Sequence, residues 1–163
     1  MGAPLTEHQK SQLLDWFGSD RFSTGASACE LHIHDISPHR VDPPSGVVWP
    51  EATGEVARLL AWAYQEGIAI TPWGAGTSTE GNPLPVAGGL VVDMTRMNRV
   101  LAIRPEDLQV DVEPGVFRRE LNRQLSGSGL FFPVDPGADA TIGGMIANNA
   151  SGVKTVKYGA TRD

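Results

Sequence analysis

The sequence predicts an α+β fold in which a βαβ unit opens onto a small parallel sheet and mixed or antiparallel strands follow. Two observations carry this. Apolar runs at 46–50 and 68–71 flank a helix-periodic stretch in which Val56, Leu59, Leu60, Ala63 and Tyr64 recur at i, i+3, i+4, i+7 and i+8. Further on, 99–103 and 108–112 read as the two arms of a hairpin around Arg104-Pro105-Glu106-Asp107.

Taken in order, Thr6-Glu7-His8-Gln9 has the spacing of a capping box, and Leu13, Leu14 and Phe17 recur on one helical face before Gly18 stops the helix. Residues 21–45 read as irregular. Within them His32 and His34 would share one face of a strand, but no third and fourth ligands gather nearby, so they are read as polar or packing histidines and no metal is expected. Residues 1–45 are thus an N-terminal helix and lead-in, and 46–163 the first part of a domain. Thr53 and Glu55 start the helix of the βαβ unit, and Gly67 ends it. A right-handed unit of this kind delivers the loop after its second strand to the C-terminal edge of the sheet.

After that loop, Leu90-Val91-Val92-Asp93-Met94 reads as another strand. In the second hairpin arm Val110 and Val112 alternate with Gln109, Asp111 and Glu113, which predicts one buried and one wet face. Phe117, Leu121 and Leu125 mark a short helix ended by Gly127 and Gly129, and 153–158 reads as strand-like.

Composition narrows the function classes. The 163 residues, 40% of them hydrophobic, suffice for one domain with a real core. A net charge of −6 argues against broad attraction to nucleic acid or to an anionic membrane. The single Cys29 excludes an internal disulfide and a CxxC pair. No stretch is long and apolar enough to be a transmembrane segment, and no secretion signal is present, so a cytoplasmic location is expected, membrane-peripheral at most through an electron acceptor. Met1-Gly2-Ala3-Pro4-Leu5-Thr6 matches the loose myristoylation pattern, but no polybasic segment follows to anchor it.

The loop at 71–82, Thr-Pro-Trp-Gly-Ala-Gly-Thr-Ser-Thr-Glu-Gly-Asn, organises the functional reading. Its glycines remove Cβ atoms that would hold a ligand away from the backbone, so successive N–H groups can turn inward as an anion nest. Asn82 after Gly81 denies it the lysine of a nucleotide-hydrolysing P-loop. Pro83 and Pro85 deny it the helix that follows a Rossmann fingerprint. A plain glycine-rich turn is the competing reading. A second small-residue stretch runs from Pro136 through Gly137, Thr141, Gly143 and Gly144 to Ala147, Asn148, Ser151 and Gly152. Such lining lets two backbone segments, or a backbone and a flat ligand, approach closely. One stretch thus offers amides to a phosphate, the other a smooth wall to an aromatic ring.

Together these residues resemble the flavoproteins of the vanillyl-alcohol oxidase and p-cresol methylhydroxylase fold, in the branch of cytochrome-linked D-lactate dehydrogenase and the glycolate oxidase flavin subunit. The matching motifs are Val47-Val48-Trp49-Pro50, the 71–78 loop, Val112-Glu113-Pro114-Gly115-Val116, Asp135-Pro136-Gly137 through Gly144, Asn148-Asn149-Ala150-Ser151-Gly152 and Lys157-Tyr158-Gly159. The resemblance implies FAD, with Gly74, Ala75, Gly76, Thr77 and Ser78 on the pyrophosphate and Pro72, Trp73, Gly81 and Asn82 also cofactor-binding. Pro136, Gly137, Thr141, Gly143, Gly144, Ala147, Asn148, Ser151, Gly152 and Tyr158 would lie along the flavin and ribityl chain. Members that attach FAD covalently through this loop carry histidine where Thr77 stands, so the resemblance implies non-covalent FAD.

It also implies oxidation of a D-2-hydroxy acid by hydride transfer to flavin N5. Relatives of this kind are much longer, so the sequence is expected to be an N-terminal part, without the substrate-binding and proton-accepting residues and inactive alone. Such a part is expected to hold FAD weakly or not at all, and to self-associate through exposed surface. A same-fold enzyme with another substrate, and a non-catalytic nucleotide- or partner-binding module, remain the alternatives.

Overall fold

A computed structural model describes residues 4–163. The chain forms two compact units, one ending at Arg96 and the other beginning at Met97.

The first unit begins with α1 (Glu7–Phe17), whose capping box forms as read: Thr6 Oγ1 accepts from Gln9 N at 3.2 Å and Gln9 Oε1 accepts from Thr6 N at 2.9 Å. Leu13 and Phe17 are buried, whereas Leu14 is turned outward. Then follow β1 (Phe22–Ser23), α2 (Ala26–Leu31), β2 (Gly46–Val48), α3 (Thr53–Glu66), β3 (Ile70–Trp73) and β4 (Leu90–Asp93). The sheet order is β1-β2-β4-β3, with β4 parallel to both β2 and β3 and β1 antiparallel to β2. Every residue of β4 is buried, as befits a central strand between two parallel neighbours. Gly67 caps α3 in the left-handed conformation, φ +67°.

Three expectations for this unit are corrected. Residues 21–45, read as irregular, contain β1 and α2, which respectively pair with and pack beside β2. The strand expected at His32 and His34 is absent: 26–31 is helical and His32 is its C-cap, so the two rings do not share a strand face. The buried face of α3 is Leu59, Trp62 and Ala63, while Leu60 and Tyr64 point to solvent. Trp62 has the larger apolar area to hide among Leu13, Phe17 and Leu90, which rotates the helix away from the Tyr64 side.

The second unit opens with the antiparallel hairpin β5 (Val100–Arg104) and β6 (Gln109–Val112). It continues with α4 (Arg118–Leu125), α5 (Ile142–Ala147) and α6 (Thr155–Tyr158) around Val116, Leu121, Leu125, Val134, Ile142 and Met145. The alternation in β6 holds for residues 109–112, but Glu113 is buried, not wet. Its carboxylate accepts from Arg99 N, Nε and a guanidinium NH2, at 2.8, 3.1 and 2.6 Å. The strand expected at 153–158 is a turn and one helical turn. Gly152 N donates to Thr155 Oγ1 at 2.8 Å and Gly159 N to Thr155 O at 2.8 Å, closing the backbone locally. Val153 and Val156 have no strand to pair with, and their β preference is overridden.

Candidate functional site

In the first unit the loop leaves β3 at Trp73, which pairs with Asp93 on the parallel β4, and so emerges at the C-terminal edge of the sheet. Gly74, Ala75, Gly76, Thr77 and Ser78 are half-buried, Pro72 and Asn82 exposed. The backbone N–H groups of residues 74–79 donate to no acceptor among the described residues. A run of amides without protein acceptors on one irregular turn is a donor set for an anion. Residues 71–82 contain no lysine or arginine, so the loop itself offers backbone dipoles and no side-chain cation.

The glycines here shape the turn. Gly76 has φ +64° and sits over the Trp73 indole, where a Cβ would stand 2.6 Å from the ring. Gly81 has φ +83°, and a Cβ there would stand 2.8 Å from the His39 ring. Side chains at either position would displace an aromatic group and re-aim the amides.

Two groups of residues that the sequence reading passed over surround this turn. Asp35 Oδ2 accepts from Gly81 N at 2.9 Å, and Ile36 N donates to Ser78 O at 2.9 Å. At the other end the His32 ring lies edge-on to Trp73, centroids 4.8 Å apart. His32 Nδ1 is 2.7 Å from Ala28 O and Nε2 is 3.1 Å from Asp93 Oδ2. Trp49 Nε1 donates to that same oxygen at 2.8 Å, and Thr95 N to Oδ1 at 2.8 Å. Burial pushes the Asp93 pKa up, but hydrogen bonds from His32 and Thr95 outweigh it and hold the carboxyl below its ordinary value. A carboxylate closing an otherwise apolar buried strand, and Asp35 two residues before Ser37, were the available sequence signals.

In the second unit the small residues divide into two kinds. Gly143 lies against Pro114: its N–H donates to Pro114 O at 2.8 Å, and a Cβ would come within 2.9 Å of that oxygen. Gly152 lies so close to Asp135 that a Cβ would overlap the carbonyl. At both positions one backbone meets another, the first of the two possibilities left open for this stretch. Thr141 is buried as the N-cap of α5 and accepts from Gly144 N at 3.4 Å. Pro136 and Gly144 are half-buried, while Gly137, Ala147, Asn148 and Ser151 face solvent. Tyr158 packs edge-on to Phe131, 5.6 Å between centroids. Asn149, with φ +46°, makes the turn after α5, and its Oδ1 accepts from Arg162 N at 3.0 Å.

Residues 44–163 match the family described as FAD binding domain. The chain belongs to that family. FAD is its cofactor, and the amides at 74–79 fit a diphosphate: donors only, closely spaced, on a turn kept open at Gly76. The fold is accordingly the α+β fold of the PCMH-type FAD-binding domain. The probable mitochondrial D-lactate dehydrogenase of Danio rerio is 42% identical over 146 residues, which is 90% of this chain and 29% of that protein. The glycolate oxidase subunit GlcD of Bacillus subtilis is 35% identical over 161 residues, 98% of this chain and 34% of that protein. Among solved structures, an alkyldihydroxyacetonephosphate synthase superposes with a TM-score of 0.89 at 26% identity, covering 99% of this chain and 32% of that one. The chain thus spans about three tenths of the length of the curated relatives it matches. No described helix is long and apolar enough to cross a membrane.

Proposed function

We propose that the chain serves an FAD-dependent oxidoreductase that oxidises a D-2-hydroxy acid of the D-lactate or glycolate type. The row of unpaired amides at 74–79 carries the cofactor half of this reading, and the names of the Danio rerio and Bacillus subtilis relatives support the substrate half. When bound, FAD supplies the hydride acceptor, flavin N5. The chain's own part is binding and orientation. Residues 74–78 hold the diphosphate, and Pro72, Trp73, Gly81 and Asn82 belong to the cofactor-binding turn around it. Pro136, Gly137, Thr141, Gly143, Gly144, Ala147, Asn148, Ser151, Gly152 and Tyr158 line the flavin and ribityl chain, Gly143 and Gly152 by letting Pro114 and Asp135 close behind the lining. Threonine at 77 offers no imidazole for a covalent flavin link, so FAD is dissociable.

Within this reading, residues 1–45 are the lead-in and 46–163 the first part of the FAD-binding domain. The activity belongs to the complete enzyme and not to these residues alone, and its location is cytoplasmic. Exposed Ile146, Val153 and Val156 give the isolated chain a means of self-association, which sedimentation at increasing concentration would reveal.

Anaerobic addition of D-lactate, D-2-hydroxyglutarate or glycolate to the complete yellow enzyme tests the reaction. Bleaching of the flavin band by one of them, and not by L-lactate, is the expected result. A yellow enzyme that none of them bleaches would favour another chemistry on the same fold, in keeping with the likeness to alkyldihydroxyacetonephosphate synthase. A colourless protein would favour a non-catalytic binding module.

A further inference from the structure

The turn that carries the unpaired amides has no regular structure of its own after Trp73, and its far half, residues 78–81, is exposed or half-buried. An irregular glycine-containing turn keeps its amides aimed only if something outside it fixes the backbone. The segment 35–39 does so from one side. Asp35 divides its two oxygens: Oδ1 accepts from Ser37 N at 2.9 Å and from the Ser37 hydroxyl, while Oδ2 accepts from Gly81 N at 2.9 Å. Next to it, Ile36 N donates to Ser78 O at 2.9 Å, and the His39 ring fills the space beside Gly81. Residues 78 and 81 are therefore each tied to consecutive residues of one segment. The Asp35 side chain is charge-assisted at this contact and takes a single amide of the turn, that of Gly81, leaving those of 74–79 directed elsewhere.

Building on the reading of this turn as the diphosphate site, we infer that Asp35 is its positioning residue, a carboxylate clasp that holds the far end of the loop in its anion-binding shape. Two acceptor oxygens are required. Asparagine has one, so in Asp35→Asn either Ser37 or Gly81 loses its partner, and an amide NH2 facing the Gly81 N–H is a donor against a donor. Glutamate keeps both oxygens on a longer stem and restores the clasp in part.

The test is residue-resolved hydrogen exchange on the complete enzyme freed of FAD, with FAD and riboflavin titrations alongside. In Asp35→Asn the amides of Gly81 and Ile36 should exchange about 10-fold faster, the β4 amides should not change, and Asp35→Glu should fall between. FAD should bind about 10-fold more weakly to Asp35→Asn while riboflavin, which has no phosphates, binds as before. Unchanged exchange at Gly81 and Ile36 overturns the clasp, and so does an equal acceleration in β4, which would mark Asp35 as a general support of the sheet. Faster exchange at Gly81 and Ile36 in Asp35→Asn, with FAD and riboflavin both bound as tightly as by the wild-type enzyme, would keep the clasp and overturn the diphosphate reading.

Discussion

Asp93 Oδ2 receives two partners at once, the buried His32 Nε2 at 3.1 Å and the indole N–H of half-buried Trp49 at 2.8 Å. His32 and Asp93 are 5% and 6% exposed, and the His32 ring leans on Trp73 at the root of the 71–82 loop. Alanine at 93 would strand both donors away from water. Leaving a buried donor without its acceptor costs about 1–3 kcal/mol. Urea unfolding of Asp93→Ala should show a loss of that size together with altered tryptophan emission. A loss below about 1 kcal/mol would mean that water reaches the site.

Two glycine replacements should move stability in opposite directions. Gly54 lies in the first turn of α3, where an added methyl would meet nothing within 4 Å, so Gly54→Ala should stabilise by about 0.4–1 kcal/mol. At Gly152 the added methyl overlaps the Asp135 carbonyl, and Gly152→Ala should cost on the order of 4 kcal/mol. Thermal unfolding of the two variants checks the contrast, and a Gly152→Ala chain as stable as wild type would show that 135 and 152 do not pack.

Glu113 sets an acid limit on the second unit. Hydrogen bonds from the Arg99 guanidinium and N–H hold its pKa below the ordinary 4.5 against a smaller opposing effect of burial. A carboxyl with a depressed folded pKa contributes stability above its unfolded value, and that contribution is lost as pH falls through the folded one. Stability should therefore decline as pH drops below 4.5, and Glu113→Gln should flatten that decline relative to wild type. Parallel pH profiles of the two proteins would contradict this.

Much of the framework is legible in the chain because local chemistry specifies it. The Thr6 capping box, the Gly67 stop and the hairpin at 100–112 depend on neighbours a few residues apart. The loop at 71–82 is legible as well, since missing side chains and missing cations are visible in the sequence. What is not legible rests on distant partners. His32 and Asp93 are 61 residues apart, and Asp35 and Gly81 are 46 apart, so nothing local announces either bond. Val153 and Val156 mislead because β-branched residues predict a strand only where another strand is available to pair. Gly143 and Gly152 are legible as places of close approach, yet only the fold says that Pro114 and Asp135 are what approaches.

On the proposed reading, threonine at 77 leaves the flavin without a covalent link to this loop. Acid precipitation of the FAD-loaded protein should leave the flavin in the supernatant, since a threonine hydroxyl forms no flavin bond of the kind an imidazole makes. Flavin that stays with the precipitate would require an attachment elsewhere.

The most direct measurement is an FAD titration of the isotopically labelled chain followed through its backbone amide resonances. The N–H signals of Gly74, Ala75, Gly76, Thr77 and Ser78 should move downfield together as phosphate oxygens accept from them, and riboflavin should leave them in place. Saturable FAD binding that leaves those five signals unmoved would contradict the assignment of the diphosphate to this turn.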